Sequence, residues 1–348
     1  MEKRLALIFG GEGAERRVSE RSAASVLSYP ECSENVLKIG IDRDGSWYLF
    51  DGNPEAIKDG SWKEDESKLT AVFPARLRGK SGFVTEDGEL IEADLAFPLL
   101  HGDMGEDGNI QGALRTAKIA YIGSSASASA LTADKAYTKI IAEYLGIPTV
   151  PWFVPSQSDM RKTRSEAEKR LGYPIFIKPR QLGSSIGAFP VRSRSEFKAA
   201  YESAMELGSG LIMIEALADV SRELEFALFD GKKRLISGAG VIHSSGNFYS
   251  YAAKYEGDGT PKITTREKLP PALVRRARSY ARQLSDFLSL GNVSRIDFFV
   301  SNSGELFFNE INSIPGMTDD SLYPRLAEDA RGAKSGFLEE LVYFAKPQ

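Results

Sequence analysis

Two carboxylates and an amide lie close together in "RIDFFVSNSGELFFNEINSIPG", Arg295 to Gly316, a stretch otherwise built for burial. It reads as two apolar strands around a turn. Period-2 alternation puts Arg295, Asp297 and Phe299 on one face of the first strand, and Phe308, Glu310 and Asn312 on one face of the second. A turn centred on Ser303-Gly304 sets Asp297 opposite Glu310 and Arg295 opposite Asn312. Facing carboxylates repel, and a partly buried one without a partner costs more still, so a cation is expected between them. Arg295 could be that cation, or a metal could be. The all-oxygen set of Asp297, Glu310 and Asn312 suits hard Mg²⁺, which takes one or two carboxylates and fills its other positions with water or phosphate oxygens. A solvated hairpin face is the competing reading, but Phe298, Phe299, Phe307 and Phe308 make both faces too apolar for open solvent.

Groups suited to a phosphate occur elsewhere. In "LGSSIG", Leu182 to Gly187, two glycines free the backbone, and Ser184 and Ser185 with successive N–H groups can cradle phosphate oxygens. Alone the motif is a tight turn; Lys178, closing the strand before it, brings a cation near. Lys135 stands in the first turn of a helix, where the macrodipole disfavours a positive charge unless an anion is close; a solvated surface lysine is the plain alternative. The chain has no G-x-x-x-x-G-K-[ST], which excludes a P-loop. "GGEGAER" imitates a dinucleotide fingerprint only at Gly11 and Gly13, with Arg16 where a third glycine belongs, which argues against NAD.

These residues need several elements to position them, and 348 residues suffice for two or three domains. "LALIFGG" followed by "ERRVSERSAASVLSY" is a strand, loop and helix; "NVLKIGID" and "DLAFPLLHG" add strands, and "DMGEDGNIQGALRTAKI" is a Gly-rich loop feeding a helix. That alternation predicts an open, Rossmann-like α/β domain over 1–124. A small-residue connector and a helix with Thr132 as N-cap, Gly146 as stop and Pro148 beyond lead into an α+β block over 125–212. From 213 to 348 the pattern is a larger antiparallel sheet, with helices near "PALVRRARSYARQLSDFL" and "FLEELVYFA". The polar, turn-rich segment across 243–270 reads as a lid or binding loop. Charged residues at 26%, apolar ones at 42% and a formal net charge of −4 indicate neither a disordered tail nor a nucleic-acid partner. A single cysteine and two histidines exclude an intrachain disulfide and a Cys/His zinc set. With no signal-like or membrane-spanning run, a cytoplasmic protein without a membrane partner is expected.

Taken in order, "GGEGAERRVS", "LHGDMGEDGNIQGAL", "IGSSASASALTADK", "IKPRQLGSSIG", "FYSYAAKY", "RIDFF" and "FNEINSIPGMTDDSLYP" resemble the D-alanine–D-alanine ligase family of the ATP-grasp superfamily, nearly end to end. The resemblance implies three domains, with ATP between the central and C-terminal sheets, D-alanine as substrate, a homodimer, and Mg²⁺ or Mn²⁺, two ions fitting the three ligands. It implies phosphate contacts from Lys135, Lys178 and Lys254, adenine and ribose contacts from Glu215 and Glu223, and adenine-edge reading by the backbone of Ala216 and Ala218. Arg295 and the Gly316 N–H match its oxyanion-stabilising pair. Glu15 matches the carboxylate for the first substrate's ammonium, with Ser184 and Tyr255 beside it, and His101 a substrate-side histidine. Ser321 and Leu322 match the pocket for the second D-alanine. Two departures stand out: "TADK" replaces Met-Asp-Lys, and Asp319 and Asp320 replace Ser-His, placing acid beside a site for a carboxylate, which should weaken acceptor binding unless paired.

Joining D-alanine to D-lactate or D-serine is the nearest rival within the family, and Tyr255 on the lid speaks against D-lactate. A non-catalytic nucleotide-binding regulator is the rival outside it, against which the complete metal triad argues. The lid expectation is tested by limited proteolysis: cuts between 243 and 270 in the free protein should be strongly suppressed by ATP, Mg²⁺ and a D-alanine analogue. Equal cutting in both states would remove the lid.

Overall fold

The computed structural model describes residues 3–30, 32, 36–156, 159–183, 186–243, 262–265, 267–333 and 336–345. Ser184, Ser185, Lys254, Tyr255 and most of the expected lid, 244–261 and 266, lie outside them.

β1 (Leu5–Gly10) is buried along its whole length, as an apolar run closed by glycines requires. β2 (Val36–Ile41) and β7 (Leu95–Pro98) flank it in parallel, and β8 (Ala120–Tyr121) runs parallel to β7. β3 (Trp47–Phe50), β4 (Leu69–Leu77), β5 (Lys80–Thr85) and β6 (Leu90–Glu92) extend the sheet antiparallel, giving the order β6-β5-β4-β3-β2-β1-β7-β8. The sequence reading does not foresee this antiparallel half, whose strands are partly exposed and carry mixed polarity. α1 (Arg16–Leu27), α2 (Pro54–Asp59) and α3 (Asn109–Thr116) accompany the sheet. Gly10 ends β1 at φ +94°, where an added Cβ would lie 2.1 Å from the Ile41 carbonyl oxygen, so only glycine permits the turn that leads to Glu15 and α1.

The small-residue connector is itself helical. α4 (Ala126–Ala133) is capped by Ser125, whose side chain accepts from the Ala128 N–H, and α5 (Lys135–Tyr144) by Asp134, which accepts from Ala136. Thr132 is therefore not the N-cap expected: it is buried inside α4, and its hydroxyl donates back to the Ala128 carbonyl (2.9 Å). Gly146 does take the left-handed stop, at φ +71°.

β9 (Trp152–Phe153), β10 (Ile175–Pro179), β11 (Phe189–Val191) and β12 (Ile212–Ala216) form a second sheet in the order β11-β10-β12-β9, covered by α6 (Met160–Arg170) and α7 (Phe197–Leu207). Its apolar cluster, including Phe153, Ile175, Ile177, Phe197 and Ile214, draws only on residues of this lobe. β12 pairs with β10 from Ile212 to Ala216, so the boundary expected at 213 cuts a strand and belongs after Ala216.

β13 (Val220–Asp230), β14 (Arg234–Ile236), β15 (Gly240–His243), β16 (Lys262–Thr264), β17 (Val293–Ser301) and β18 (Leu306–Asn312) build the third sheet, ordered β16-β15-β13-β17-β18 with β14 against β13. α8 (Pro271–Phe287) buries Leu273, Ala277, Ala281 and Leu284, one helical face, against Leu224, Phe226, Ile296, Phe298 and Phe308. α9 (Leu322–Arg331) and α10 (Phe337–Phe344) join Phe229 and Val293 to Leu7 and Phe9 of the first sheet in one continuous core. No helix among the described residues is long and apolar enough to cross a membrane.

The β17–β18 register carries a correction. Asp297 does face Glu310, and Arg295 faces Asn312. Nearer the turn Phe298 pairs with Phe308 and Phe299 with Phe307, so the turn centres on Ser303 and an extra residue, Asn309, bulges before Glu310. Phe308 thus leaves the face shared by Glu310 and Asn312 and enters the core beside Phe298 (ring centroids 6.0 Å).

The first and third sheets meet at Gly291, where an added Cβ would lie 1.7 Å from the Gly123 carbonyl oxygen, and the Gly291 N–H donates to Ser124 Oγ (3.0 Å). Gly291→Ala should destabilise the protein by about 1–3 kcal/mol or more through forced backbone separation, read as a lowered urea midpoint. An unchanged midpoint would mean that this contact yields freely.

Candidate active site

A cleft of about 660 Å³ opens between the second and third sheets. Lys178, Glu215 and Ala216 line it from the second sheet, and Glu223, Glu225, Arg295, Asp297, Phe299, Asn309 and Glu310 from the third. Strand register makes the charge pattern: Glu225 on β13 faces Asp297 on β17, which faces Glu310 on β18, so three carboxylates form one row across three strands. Arg295, one position along that face, answers them. Its Nε lies 2.9 Å and its Nη2 2.7 Å from the two Asp297 oxygens, and its Nε 3.3 Å from Glu225. Burial works against the guanidinium's charge, but Asp297 and Glu225 overcome it and raise its pKa well above the ordinary value. Arg295 is thus one cation that answers the row.

Lys135, the first residue of α5, reaches Glu310 at 3.5 Å and donates to the Leu182 carbonyl at 2.7 Å, linking the carboxylate row to the "LGSSIG" loop. One end of the Asn312 amide faces two acceptors, Glu106 Oε1 (2.5 Å) and the Ile314 carbonyl (3.1 Å), which assigns the nitrogen to that end as donor and the oxygen to the other. Glu106, in the loop before α3, also accepts from the Gly102 N–H (3.2 Å). Burial, then the neighbouring Glu15, push its carboxyl well above the usual carboxylate range.

Among the described residues no three His, Cys, Asp or Glu side chains form a metal cluster. The candidate set is two carboxylates and an amide, and its chemistry fits a hard divalent ion: all-oxygen donors, facing strands, and a row with more negative than positive charge.

On the second sheet, Lys178 Nζ lies 2.6 Å from one Glu215 oxygen and Lys139 Nζ, from α5, lies 3.2 Å from the other. Burial alone would raise the Glu215 pKa; Lys139 and Lys178 outweigh it and hold the carboxyl down to about 2. The Ala216 N–H is already donated to the Pro151 carbonyl (2.8 Å), and the Ala218 carbonyl accepts from Val220 (3.0 Å), so an adenine edge would have to use the remaining backbone groups there.

At the cleft's N-terminal side the buried Glu15 carboxylate lies close to both Gly102 and Gly183, where added Cβ atoms would meet its Oε2 at 2.8 and 3.0 Å. Small residues in two different loops are what let it enter. His101 is buried; its Nδ1–H donates to the Ile314 carbonyl (3.0 Å), while Ser22 Oγ lies 3.2 Å from its Nε2 and accepts from the Met317 N–H (3.1 Å). Burial lowers its pKa to about 4, so it is neutral and braces the loop carrying Gly316. Gly316 sits against Ser321, whose hydroxyl is 2.8 Å from Thr318 Oγ1 and accepts from the Thr318 N–H (3.1 Å). The side chain of Leu322 is buried in the apolar core beside Gly240, not along the cleft. Asp319 and Asp320 are exposed and face α1, where Ser25 donates to Asp319 (3.3 Å) and Arg21 pairs with Asp320 (3.4 Å); the expected acid beside the acceptor is thus turned to solvent. The sequence reading did not single out Glu106, Glu225 or Lys139. Glu225 alone had a local signal, the alternation of Glu223 and Glu225 with Leu224 and Phe226.

Two family profiles match, one described as D-ala D-ala ligase N-terminus over residues 4–124 and the other as D-ala D-ala ligase C-terminus over 141–342. The chain is similar to the D-alanine–D-alanine ligase of Thermoanaerobacter sp. (strain X514), 34% identical over 350 residues, covering 99% of this chain and 96% of the relative. Its fold is similar to the crystal structure of VanG D-Ala:D-Ser ligase from Enterococcus faecalis, with a TM-score of 0.87, 31% identity and coverage of 99% and 100%. It is also similar to the D-alanine-D-alanine ligase structure from Coxiella burnetii, with a TM-score of 0.85, 26% identity and coverage of 99% and 94%. With both halves matched in order and the whole fold shared, the chain belongs to the D-alanine–D-alanine ligase family of ATP-dependent, ADP-forming ligases, on an ATP-grasp fold.

Proposed function

We propose that this protein uses ATP to phosphorylate the carboxylate of one D-alanine and then joins it to the amine of a second, giving D-alanyl-D-alanine for peptidoglycan. The observation that carries this reading is the cleft itself, with the carboxylate row and Arg295 on one wall and Lys178 on the other. A carboxylate is a poor electrophile, so its activation as an acyl phosphate needs phosphoryl transfer between groups that hold phosphate charge. In this reading Lys178 and Lys135 bind the phosphates, together with Ser184, Ser185 and Lys254. Glu215 and Glu223, with the backbone around Ala216 and Ala218, take the nucleoside. Asp297, Glu310 and Asn312 would hold Mg²⁺ or Mn²⁺, two ions in this reading, which neutralise phosphate charge when bound.

Glu15, with Ser184 and Tyr255, holds the ammonium of the first D-alanine. Attack by the second amine on the acyl carbon builds charge on oxygen, stabilised by Arg295 and the Gly316 N–H; phosphate then leaves and the amine proton is lost. Ser321 receives the acceptor carboxylate, while Leu322 supports that pocket from the core and His101 holds its loop. The first domain serves the substrates and the other two the nucleotide. The enzyme acts as a cytoplasmic homodimer, where ATP and D-alanine are available, with no part for nucleic acid or membrane.

If the facing carboxylates are metal ligands, Asp297→Asn and Glu310→Gln should keep the fold, lower turnover by about 10²-fold or more and raise the Mg²⁺ needed for half activity. Near-wild-type turnover in both would end that assignment.

The acceptor is tested by competition. Given ATP, Mg²⁺, D-alanine and equal D-lactate near pH 7, the product by mass spectrometry should be chiefly D-alanyl-D-alanine, because a tyrosine on the lid adds no positive charge against the incoming amine. Chiefly D-alanyl-D-lactate would overturn this, and chiefly D-alanyl-D-serine in the matching D-serine experiment would move the chain to the activity that VanG's name describes.

A further inference from the structure

Lys139 is buried to 1% exposure on α5, yet it lies in neither the cleft lining nor any role assigned above. A buried ammonium costs several kcal/mol unless paired, and its partner here is Glu215, itself only 5% exposed. The pairing is by charge at 3.2 Å; Lys139 Nζ and Glu215 Oε2 make no aligned hydrogen bond in the structure. The other Glu215 oxygen holds Lys178 at 2.6 Å, on the wall of the cleft. Two ammonium groups thus share one carboxylate, one reaching the cleft and one sealed behind it. Burial pulls the Lys139 pKa down and Lys178 adds to this, while Glu215 and the more distant Glu143, one turn along α5, work to keep it charged.

This arrangement creates a conflict over Lys178. An ammonium locked to a buried carboxylate is poorly available to a phosphate, and withdrawing it would leave that carboxylate uncompensated. We propose that Lys139 is a positioning residue, a counter-ion fixed behind the cleft that keeps Glu215 compensated so that Lys178 can leave it for a nucleotide phosphate. The role rests on the reading of this cleft as the nucleotide site. The site therefore behaves as an exchange: when phosphate oxygens enter, Lys178 moves to them, and Glu215 remains charged beside Lys139 and free to accept from the nucleoside. A single lysine would have to choose between the two anions.

The test compares affinities for adenosine and for ADP by calorimetry or by displacement of a fluorescent nucleotide, with EDTA present so that metal plays no part. The quantity read is the ratio of the two dissociation constants, the gain from the phosphates. Lys139→Met should shrink this ratio by about tenfold, the order of one charge-assisted hydrogen bond, because Lys178 stays with Glu215. Lys139→Arg should retain most of it. An unchanged ratio in Lys139→Met, or equal weakening of both ligands, would overturn the proposal.

Lys178→Met separates the proposal from the reading beneath it. If Lys178→Met shrinks the ratio and Lys139→Met does not, only the role of Lys139 falls; if Lys178→Met leaves the ratio intact, the phosphate role of Lys178 falls and takes the proposal with it. Should Lys139→Met fail to fold, Glu215→Gln is compared with Glu215→Gln/Lys139→Met. With no carboxylate to hold, loss of Lys139 should then change the ratio by less than about twofold. A tenfold loss would show that Lys139 acts independently of Glu215.

Discussion

The structure turns on a row of like charges that the backbone forces together. Antiparallel pairing places Glu225, Asp297 and Glu310 on one line across β13, β17 and β18, with neighbouring strands about 5 Å apart. Such a row is stable only where cations reach it from more than one direction. Arg295 comes from the next position on the same sheet and Lys135 from the start of α5, carried in from outside that sheet. The cleft therefore exists because the third sheet cannot satisfy its own face. The same logic recurs on the opposite wall, where Glu215 is answered by a lysine from its own sheet and another from α5.

α5 is the element common to both walls. Its N-terminal lysine meets Glu310, and the lysine one turn later meets Glu215, a spacing of four residues that keeps both on one helical face. Asp134 begins the helix and binds Arg180 beyond β10, at 2.6 Å, so the helix is tied at its cap to the second sheet as well. The departure of "TADK" from the family's usual run leaves this arrangement intact, because the Asp and the Lys that follow it carry the contacts.

Much of this site could be read in the chain because alternation and turn chemistry are local. Asp297 and Glu310 announce themselves as carboxylates at inward positions of adjacent strands, and their pairing follows once a hairpin is recognised. The bulge at Asn309 could not be read: it depends on how Phe308 packs against Phe298, a matter of core shape. Glu106 and Lys139 escaped for a related reason. One sits in a glycine-rich loop and the other in an ordinary amphipathic helix, and only contacts 206 and 76 residues away in sequence, with Asn312 and Glu215, reveal their surroundings. Thr132 shows the converse error, where a good capping residue met a helix already begun by Ser125.

The apolar core of the second lobe shares none of its residues with the core that fuses the first and third sheets through Phe229, Val293, Leu7 and Phe9. Buried surface that ends at a lobe boundary sets no penalty on rotation about that boundary, whereas a continuous core resists it. Lys178 and Glu215 ride on the independent lobe, and Arg295 and the carboxylate row on the fused one. What spans the cleft instead is polar: α5 pairs with Glu310 on one wall and with Glu215 on the other. A separate core makes β10 and β12 a unit whose amide hydrogens should exchange on their own schedule, one that a ligand touching both walls should lengthen.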